Sequence, residues 1–181
     1  MSYGTIEDVN NETKISKVIE NYVNRNRGKY KLLKVSLNTN TGEDYNKFGE
    51  IDRVLVNTKS NNARGDNQLI AYFEIKDRSG NTSNPNERGL RFNQYSDGIF
   101  ISKSKLDAGR NLCETYGIPF FLVWKLIDGV YMLEVRFKDL SNRNKYRLYH
   151  GCGNSSRNVA EPLVFIDWGN SFVKIGDAYD E

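Results

Sequence analysis

Two segments of the chain carry charged residues inside otherwise apolar runs, 48–52 (Phe-Gly-Glu-Ile-Asp) and 72–76 (Tyr-Phe-Glu-Ile-Lys). Side chains at positions i and i+2 of a strand point to the same face, so Glu74 and Lys76 project together while the apolar residues beside them enter the core. If the two segments pair as neighbouring strands, Asp52 joins Glu74 and Lys76 on one patch. Charges placed among the core residues of a strand are typical of a functional site.

The length of the chain favours one domain over residues 1–181, with a core at about 12–137 and a C-terminal extension at about 138–181. No segment approaches the ~18 consecutive apolar residues that a membrane span requires. The first residues lack the basic and then apolar profile of a secretion signal, which predicts a cytoplasmic protein. The net charge of +3 is too small to indicate nucleic-acid binding by itself.

Cysteine and histidine content argues against several kinds of site. The chain has two cysteines, Cys113 and Cys152, and one histidine, His150. A single His-x-Cys without a second ligand pair is a poor zinc site. A Ser-His-Asp or Cys-His mechanism would have to use His150, which lies in a Gly-rich segment, so these mechanisms are disfavoured.

Hydrophobic periodicity predicts a series of helices and strands. The first is an amphipathic helix from Glu12 to Arg25, capped by Asn10 or Asn11 and stopped by Gly28. Strands are predicted at 30–37, 50–56, 69–76 and 98–101, a second helix at 105–116 ended by Gly117, a hairpin at 119–126 and 130–137, and a further hairpin at 162–168 and 172–175.

This order of elements, with Asp52 on one strand and Glu74-Ile75-Lys76 on the next, resembles the PD-(D/E)XK nuclease superfamily. Residues 100–106 and 117–123 are similar to phage-type members. The resemblance covers about 12–135, and it departs from the family motif because no proline precedes Asp52. It implies an α/β fold, a restriction-endonuclease-like mixed β-sheet flanked by helices, here with a C-terminal β-hairpin extension.

The resemblance implies a metal-dependent endodeoxyribonuclease of the resolvase, restriction or homing type. Asp52, Glu74 and the backbone carbonyl of Ile75 would bind Mg²⁺ or Mn²⁺, since Mg²⁺ prefers hard oxygen ligands. Lys76 would orient or deprotonate the attacking water and stabilise charge on the phosphate. No organic cofactor and no membrane partner are expected.

Many members of the superfamily carry a further acid on the first helix, and this chain has two candidates. Glu12 lies close to the edge of the apolar face of the predicted helix, whereas Glu20 points away from it. We therefore expect Glu12 to belong to the site and Glu20 to be a solvated helix residue.

DNA is the expected partner, and a homodimer is an arrangement common among such enzymes. Basic residues interleaved with aromatic ones can hold phosphates and stack bases, and the segment 140–157 has this composition. The expected nucleic-acid contacts are Arg78, Gln94, Lys105, Arg143, Lys145 and Arg147.

Two alternatives remain open at this level. The charged residues could form structural ion pairs at strand edges, Asp52 with Lys76 and Glu74 with Arg53 or Arg78. The chain could also be a catalytically inactive nuclease-fold module that binds nucleic acid or a protein partner. Divalent-metal binding separates the second alternative from an active nuclease.

Overall fold

The computed structural model describes residues 6–26, 28–34, 52–58, 68–79, 91–92, 99–138, 146–149, 162–166 and 172–177. They form the helices α1 (Ile6–Asn24) and α2 (Lys103–Tyr116) and the strands β1 (Tyr30–Lys34), β2 (Arg53–Asn57), β3 (Gln68–Asp77), β4 (Ile99–Ser102), β5 (Phe120–Leu126), β6 (Gly129–Glu134), β7 (Tyr146–Tyr149), β8 (Leu163–Ile166) and β9 (Val173–Gly176). Neither of these two helices is long and apolar enough to cross a membrane.

The main sheet has six strands in the order β1-β2-β3-β5-β6-β9. β3 and β5 are parallel, whereas the other neighbouring pairs in this sheet are antiparallel. A parallel pair needs a crossover connection, and α2 lies in the one between β3 and β5. A second sheet has three strands in the order β4-β8-β7. The predicted α/β class with a mixed, restriction-endonuclease-like sheet flanked by helices is confirmed.

Core residues cover both faces of the main sheet. On one face, Ile15 and Ile19 of α1 pack in a buried cluster with Phe73 and Ile75 of β3. On the other face, α2 and the second sheet contribute to a cluster that includes Trp124 of β5. Because both faces of β3 are covered, residues 71–75 are all buried, as its long apolar run predicts.

Helix α1 begins earlier than its apolar stripe. The apolar spacing is confirmed, since Ile15, Val18 and Ile19 are buried. The predicted start at Glu12, with an Asn10 or Asn11 cap, is wrong because the helix begins at Ile6. Backbone hydrogen bonding continues a helix through a turn that has no apolar face, so the stripe does not mark the helix end.

Helix α2 ends as its sequence predicts. Gly117 has φ +66°, the left-handed conformation that favours glycine, and its N–H donates to the carbonyl of Cys113 at 2.8 Å. The predicted hairpin of β5 and β6 is confirmed by their antiparallel pairing, in which Leu126 lies opposite Gly129.

The predicted C-terminal hairpin is wrong, although both of its strands exist. β8 pairs with β4 and β7 in the second sheet, whereas β9 pairs with β6 in the main sheet. A Gly-Asn-Ser sequence between two short apolar runs is a local turn signal, and long-range strand pairing has overridden it.

Candidate active site

Strand pairing brings the two halves of the motif together. Arg53, the first residue of β2, lies opposite Phe73 of β3, so Asp52 stands beside the end of β3 that carries Glu74. The Asp52 carboxylate accepts a hydrogen bond from the N–H of Ile75, with a distance of 2.7 Å between N and Oδ2. This contact fixes the position of the Asp52 carboxylate against the backbone of β3.

The direction of the Ile75 carbonyl follows from the hydrogen bonds of its neighbours. The N–H groups of Tyr72 and Arg78 donate to the carbonyls of Pro119 and Lys125, on the β5 side of β3. The N–H and C=O of one strand residue point the same way, and successive residues alternate. Because the Ile75 N–H points to Asp52, its carbonyl also points to the Asp52 side.

Glu74 is a buried carboxylate contacted by two lysines. Its exposed fraction is 1%, and the Nζ of Lys76 lies 2.8 Å from its Oε1. Lys105, in the first turn of α2, donates to the same oxygen. The Lys105 Nζ also lies 3.9 Å from Oδ1 of Asp52. The structure thus brings together Asp52, Glu74 and Lys76, and it adds Lys105.

Burial controls the electrostatics of this cluster. Burial, with a further contribution from the Asp52 carboxylate, raises the pKa of Glu74 to about 7, although Lys76 and Lys105 act in the opposite direction. Burial alone would lower the pKa of Lys105, but the Glu74 and Asp52 carboxylates together raise it above its ordinary value. Lys105 is therefore a permanent cation next to these two carboxylates.

The residues of the cluster fit a divalent cation. The Oε2 atom of Glu74 is buried and has no hydrogen-bond partner in the part of the chain that the structure describes. An unpaired buried carboxylate oxygen is costly, and a hard cation would satisfy it. The oxygen atoms that could contact such an ion are those of the Asp52 and Glu74 carboxylates and the Ile75 carbonyl. Among the described residues, no group of three or more His, Cys, Asp or Glu side chains could hold a metal ion.

The two helix acids have different surroundings. Glu12 Oε2 lies 3.3 Å from Nη2 of the buried Arg53, the residue after Asp52. Burial and the Asp52 carboxylate raise the pKa of Glu12, although Arg53 opposes them. Glu20 accepts a hydrogen bond from the N–H of Leu32 in β1 at 2.6 Å. Glu12 thus lies near the site, and the expectation that Glu20 is merely solvated is wrong because it ties α1 to the sheet.

The expected nucleic-acid contacts are placed only in part. Arg78 is exposed and directly follows β3. Arg147 lies in β7, with its backbone opposite Phe165. Gln94, Arg143 and Lys145 lie outside the described residues.

Lys105 and Arg53 are the two site residues whose contacts sequence reasoning missed. The described ion pairs of the site join Glu74 to Lys76 and Lys105, Asp52 to Lys105, and Arg53 to Glu12, so they differ from the pairs that the ion-pair alternative names. A lysine in the first turn of a helix after a strand is a weak signal, because any exposed helix carries such residues. The contact of Lys105 with Glu74 follows from the path of the crossover between β3 and β5.

Comparison with known proteins identifies the family. Residues 1–169 match the family described as "Phage putative PDDEXK endonuclease". The chain belongs to this family. Membership in the PD-(D/E)XK superfamily, predicted from the Asp52 and Glu74-Ile75-Lys76 pattern, is thereby confirmed. A solved nuclease from a fusselovirus is similar to this family member with 12% identity and a TM-score of 0.48, over 92% of this chain and 87% of that one. No curated protein matches the sequence.

Proposed function

We propose that the chain is a metal-dependent endodeoxyribonuclease that hydrolyses DNA phosphodiester bonds. The observation that carries the proposal is the buried Glu74 carboxylate. Its Oε2 has no partner among the described residues, and the next residue, Ile75, donates its N–H to the Asp52 carboxylate. Asp52, Glu74 and the carbonyl of Ile75 would hold Mg²⁺ or Mn²⁺. Membership in a family of phage endonucleases supports this assignment.

Each residue of the cluster has a separate task in this proposal. A bound divalent ion would neutralise the scissile phosphate and activate a water molecule. Lys76 is 32% exposed, so its ammonium group can contact Glu74 and still reach water or a phosphate oxygen. It would orient the attacking water and stabilise the charge that develops on the phosphate.

Glu12 has a positioning task in the proposal. Its carboxylate contacts Arg53, and Arg53 directly follows Asp52 in the chain, so Glu12 helps to hold the start of β2 against α1. The Nε of Arg53 also donates to the hydroxyl of Ser16, at 3.2 Å. Two contacts from one helix to the buried guanidinium favour support of Asp52 over direct contact with the metal.

DNA binding would come from basic residues around this cluster. Arg78 is exposed next to the Glu74 strand, and a positive charge there can contact the phosphate backbone. Gln94, Lys105, Arg143, Lys145 and Arg147 complete the proposed contact set.

A cleavage assay tests the proposal. Supercoiled, linear, single-stranded and branched DNA are incubated with Mg²⁺ or Mn²⁺ and with wild type, Glu74→Gln or Lys76→Ala. Matched controls are Glu134→Gln at the exposed end of β6 and Lys17→Ala on the exposed side of α1. We expect metal-dependent cleavage that both site variants abolish and both controls retain.

The opposite result would favour the binding module. If the wild type cleaves no substrate and calorimetry detects no Mg²⁺ binding, the proposed nuclease function is wrong. Retained DNA binding in that case would support a nuclease-fold protein without catalysis.

A further inference from the structure

Lys105 is not part of the Asp52 and Glu74-Ile75-Lys76 motif, yet it contacts both carboxylates of that motif. Its Nζ donates to Oε1 of Glu74 and lies 3.9 Å from Oδ1 of Asp52. Lys76 contacts the same Glu74 oxygen from within β3. The Lys105 ammonium group, from α2, therefore contacts the same two carboxylates to which the proposed function assigns a divalent ion.

When both carboxylates are ionised, the charges of these four side chains balance without any metal. Two carboxylates face two ammonium groups, so the addition of a divalent cation would leave an excess of positive charge around the buried Glu74. Like charges a few ångströms apart in a partly buried site repel strongly. Binding of the ion is therefore unfavourable unless one ammonium group moves away.

Both ammonium groups can reach solvent, since the side chains of Lys76 and Lys105 are 32% and 23% exposed, and the proposed task of Lys76 makes Lys105 the one that leaves. Lys76 is anchored on β3 next to Glu74, and the proposed function requires it to stay there. Lys105 reaches the site from α2, and its side chain is 23% exposed, so a change in its side-chain torsions can move the Nζ into solvent. Lys103, two residues earlier in the same helix turn, pairs with Asp107 and offers a matched control.

We propose that Lys105 is an internal counter-cation that holds Asp52 and Glu74 in place and releases them when a divalent ion binds. The inference rests on the proposed function, because it assumes that these carboxylates bind the metal. Lys105 is then a positioning residue that sets the metal affinity of the site. It stabilises the protein before the ion arrives and weakens binding of the ion by competition.

Titration calorimetry with MgCl₂ at pH 8.5, together with thermal unfolding in EDTA, tests this role. The proteins are wild type, Lys105→Met and the control Lys103→Met. Since Lys105→Met removes the cation that competes for the Asp52 and Glu74 carboxylates, we expect the dissociation constant for Mg²⁺ to fall on the order of tenfold. We also expect a lower unfolding midpoint in EDTA, while Lys103→Met leaves the dissociation constant unchanged.

A second variant keeps the test decisive if Lys105→Met does not fold. Arginine keeps the charge and can hold carboxylates through two hydrogen bonds. We therefore expect Lys105→Arg to bind Mg²⁺ several-fold more weakly than wild type, and tighter binding would overturn the inference.

The outcomes separate the two proposals. If wild type binds Mg²⁺ and Lys105→Met binds it equally or more weakly, only the counter-cation inference is wrong. If neither wild type nor Lys105→Met binds Mg²⁺, both the inference and the proposed function are wrong.

Discussion

Ile75 donates its backbone N–H to the carboxylate of Asp52 at 2.7 Å. The residue between Glu74 and Lys76 thus fixes the acid that directly precedes the neighbouring strand β2. The acceptor of this N–H is a side-chain oxygen of Asp52, the residue directly before β2. The spacing of the two carboxylates is consequently built into the pairing of β2 and β3.

Asp52→Asn and Asp52→Ala should separate charge from hydrogen bonding. The asparagine carbonyl can still accept from Ile75, whereas alanine leaves that buried N–H without a partner. We expect Asp52→Ala to lose about 1–2 kcal/mol more free energy of unfolding than Asp52→Asn in a urea titration. Both variants should lose DNA cleavage. Equal stabilities would show that the hydrogen bond contributes little.

In the absence of divalent metal, the free energy of unfolding should depend on pH because the Glu74 carboxyl titrates. Burial raises the pKa of Glu74 from 4.5 to about 7, so the folded protein binds this proton more tightly than the unfolded chain. The resulting stabilisation is fully present below pH 4.5 and is lost as the pH rises to about 7. We expect the free energy of unfolding of wild type, relative to Glu74→Gln, to fall by roughly 3 kcal/mol across this range.

Urea unfolding in EDTA at a series of pH values would measure this difference. Glu134→Gln, which changes an exposed carboxylate, should run parallel to wild type. A constant difference between wild type and Glu74→Gln would contradict the raised pKa.

Local patterns in the sequence predict the central part of the molecule. The apolar run of β3 specifies a strand buried on both faces, and its alternation sends Glu74 to one face and Phe73 to the other. Gly117 and the Asp-Gly sequence where the β5–β6 turn enters β6 are local signals with a direct structural consequence. These features depend on neighbouring residues, so one sequence suffices to predict them.

The remainder depends on contacts between distant residues. The approach of Lys105 to Glu74 is set by the crossover that places α2 against the main sheet, and the Arg53–Glu12 pair is set by the packing of α1 on the same sheet. The separation of β8 from β9 depends on which partner strands are available. No local pattern encodes such choices, because each is decided by the whole arrangement of elements.

The Glu12–Arg53 pair should be energetically coupled. Arg53 is 5% exposed, and loss of its carboxylate partner leaves a buried guanidinium with fewer contacts. In a double-mutant cycle of Glu12→Gln and Arg53→Met, we expect a coupling energy of about 1–2 kcal/mol, measured by urea unfolding. If Glu12 only positions Asp52, Glu12→Gln should change the Mg²⁺ dissociation constant by less than about threefold. A much larger change would place Glu12 in contact with the metal.

Gly109→Ala should disturb the packing of α2 against Phe120 of β5. A Cβ at this position would lie 2.8 Å from ring atoms of Phe120, which is fully buried. The gain in helix propensity offsets part of this overpacking, and we expect a net loss of about 1–2 kcal/mol in the free energy of unfolding. Asn111→Ala, on the exposed side of α2, should instead be neutral or slightly stabilising. Stability gained in Gly109→Ala would mean that the Phe120 ring moves easily.

Neutral replacements of Arg143, Lys145 and Arg147 should weaken DNA binding and its salt dependence. Each phosphate contact contributes about 0.9 to the slope of log K against log salt concentration, so we expect the slope to decrease by about 2–3. Fluorescence anisotropy with labelled duplex DNA at several KCl concentrations measures it. Lys17→Gln on α1 is the single-charge control, and an unchanged slope in the triple variant would place the DNA elsewhere.

The divergence of β8 and β9 limits how far this chain could be shortened. A truncation after residue 161 would remove the middle strand of one sheet and an edge strand of the other in a single cut. It would also remove Ile175, which is 1% exposed and packs in the cluster beneath α1. We therefore do not expect the motif-bearing strands to fold as an independent unit without the last strands.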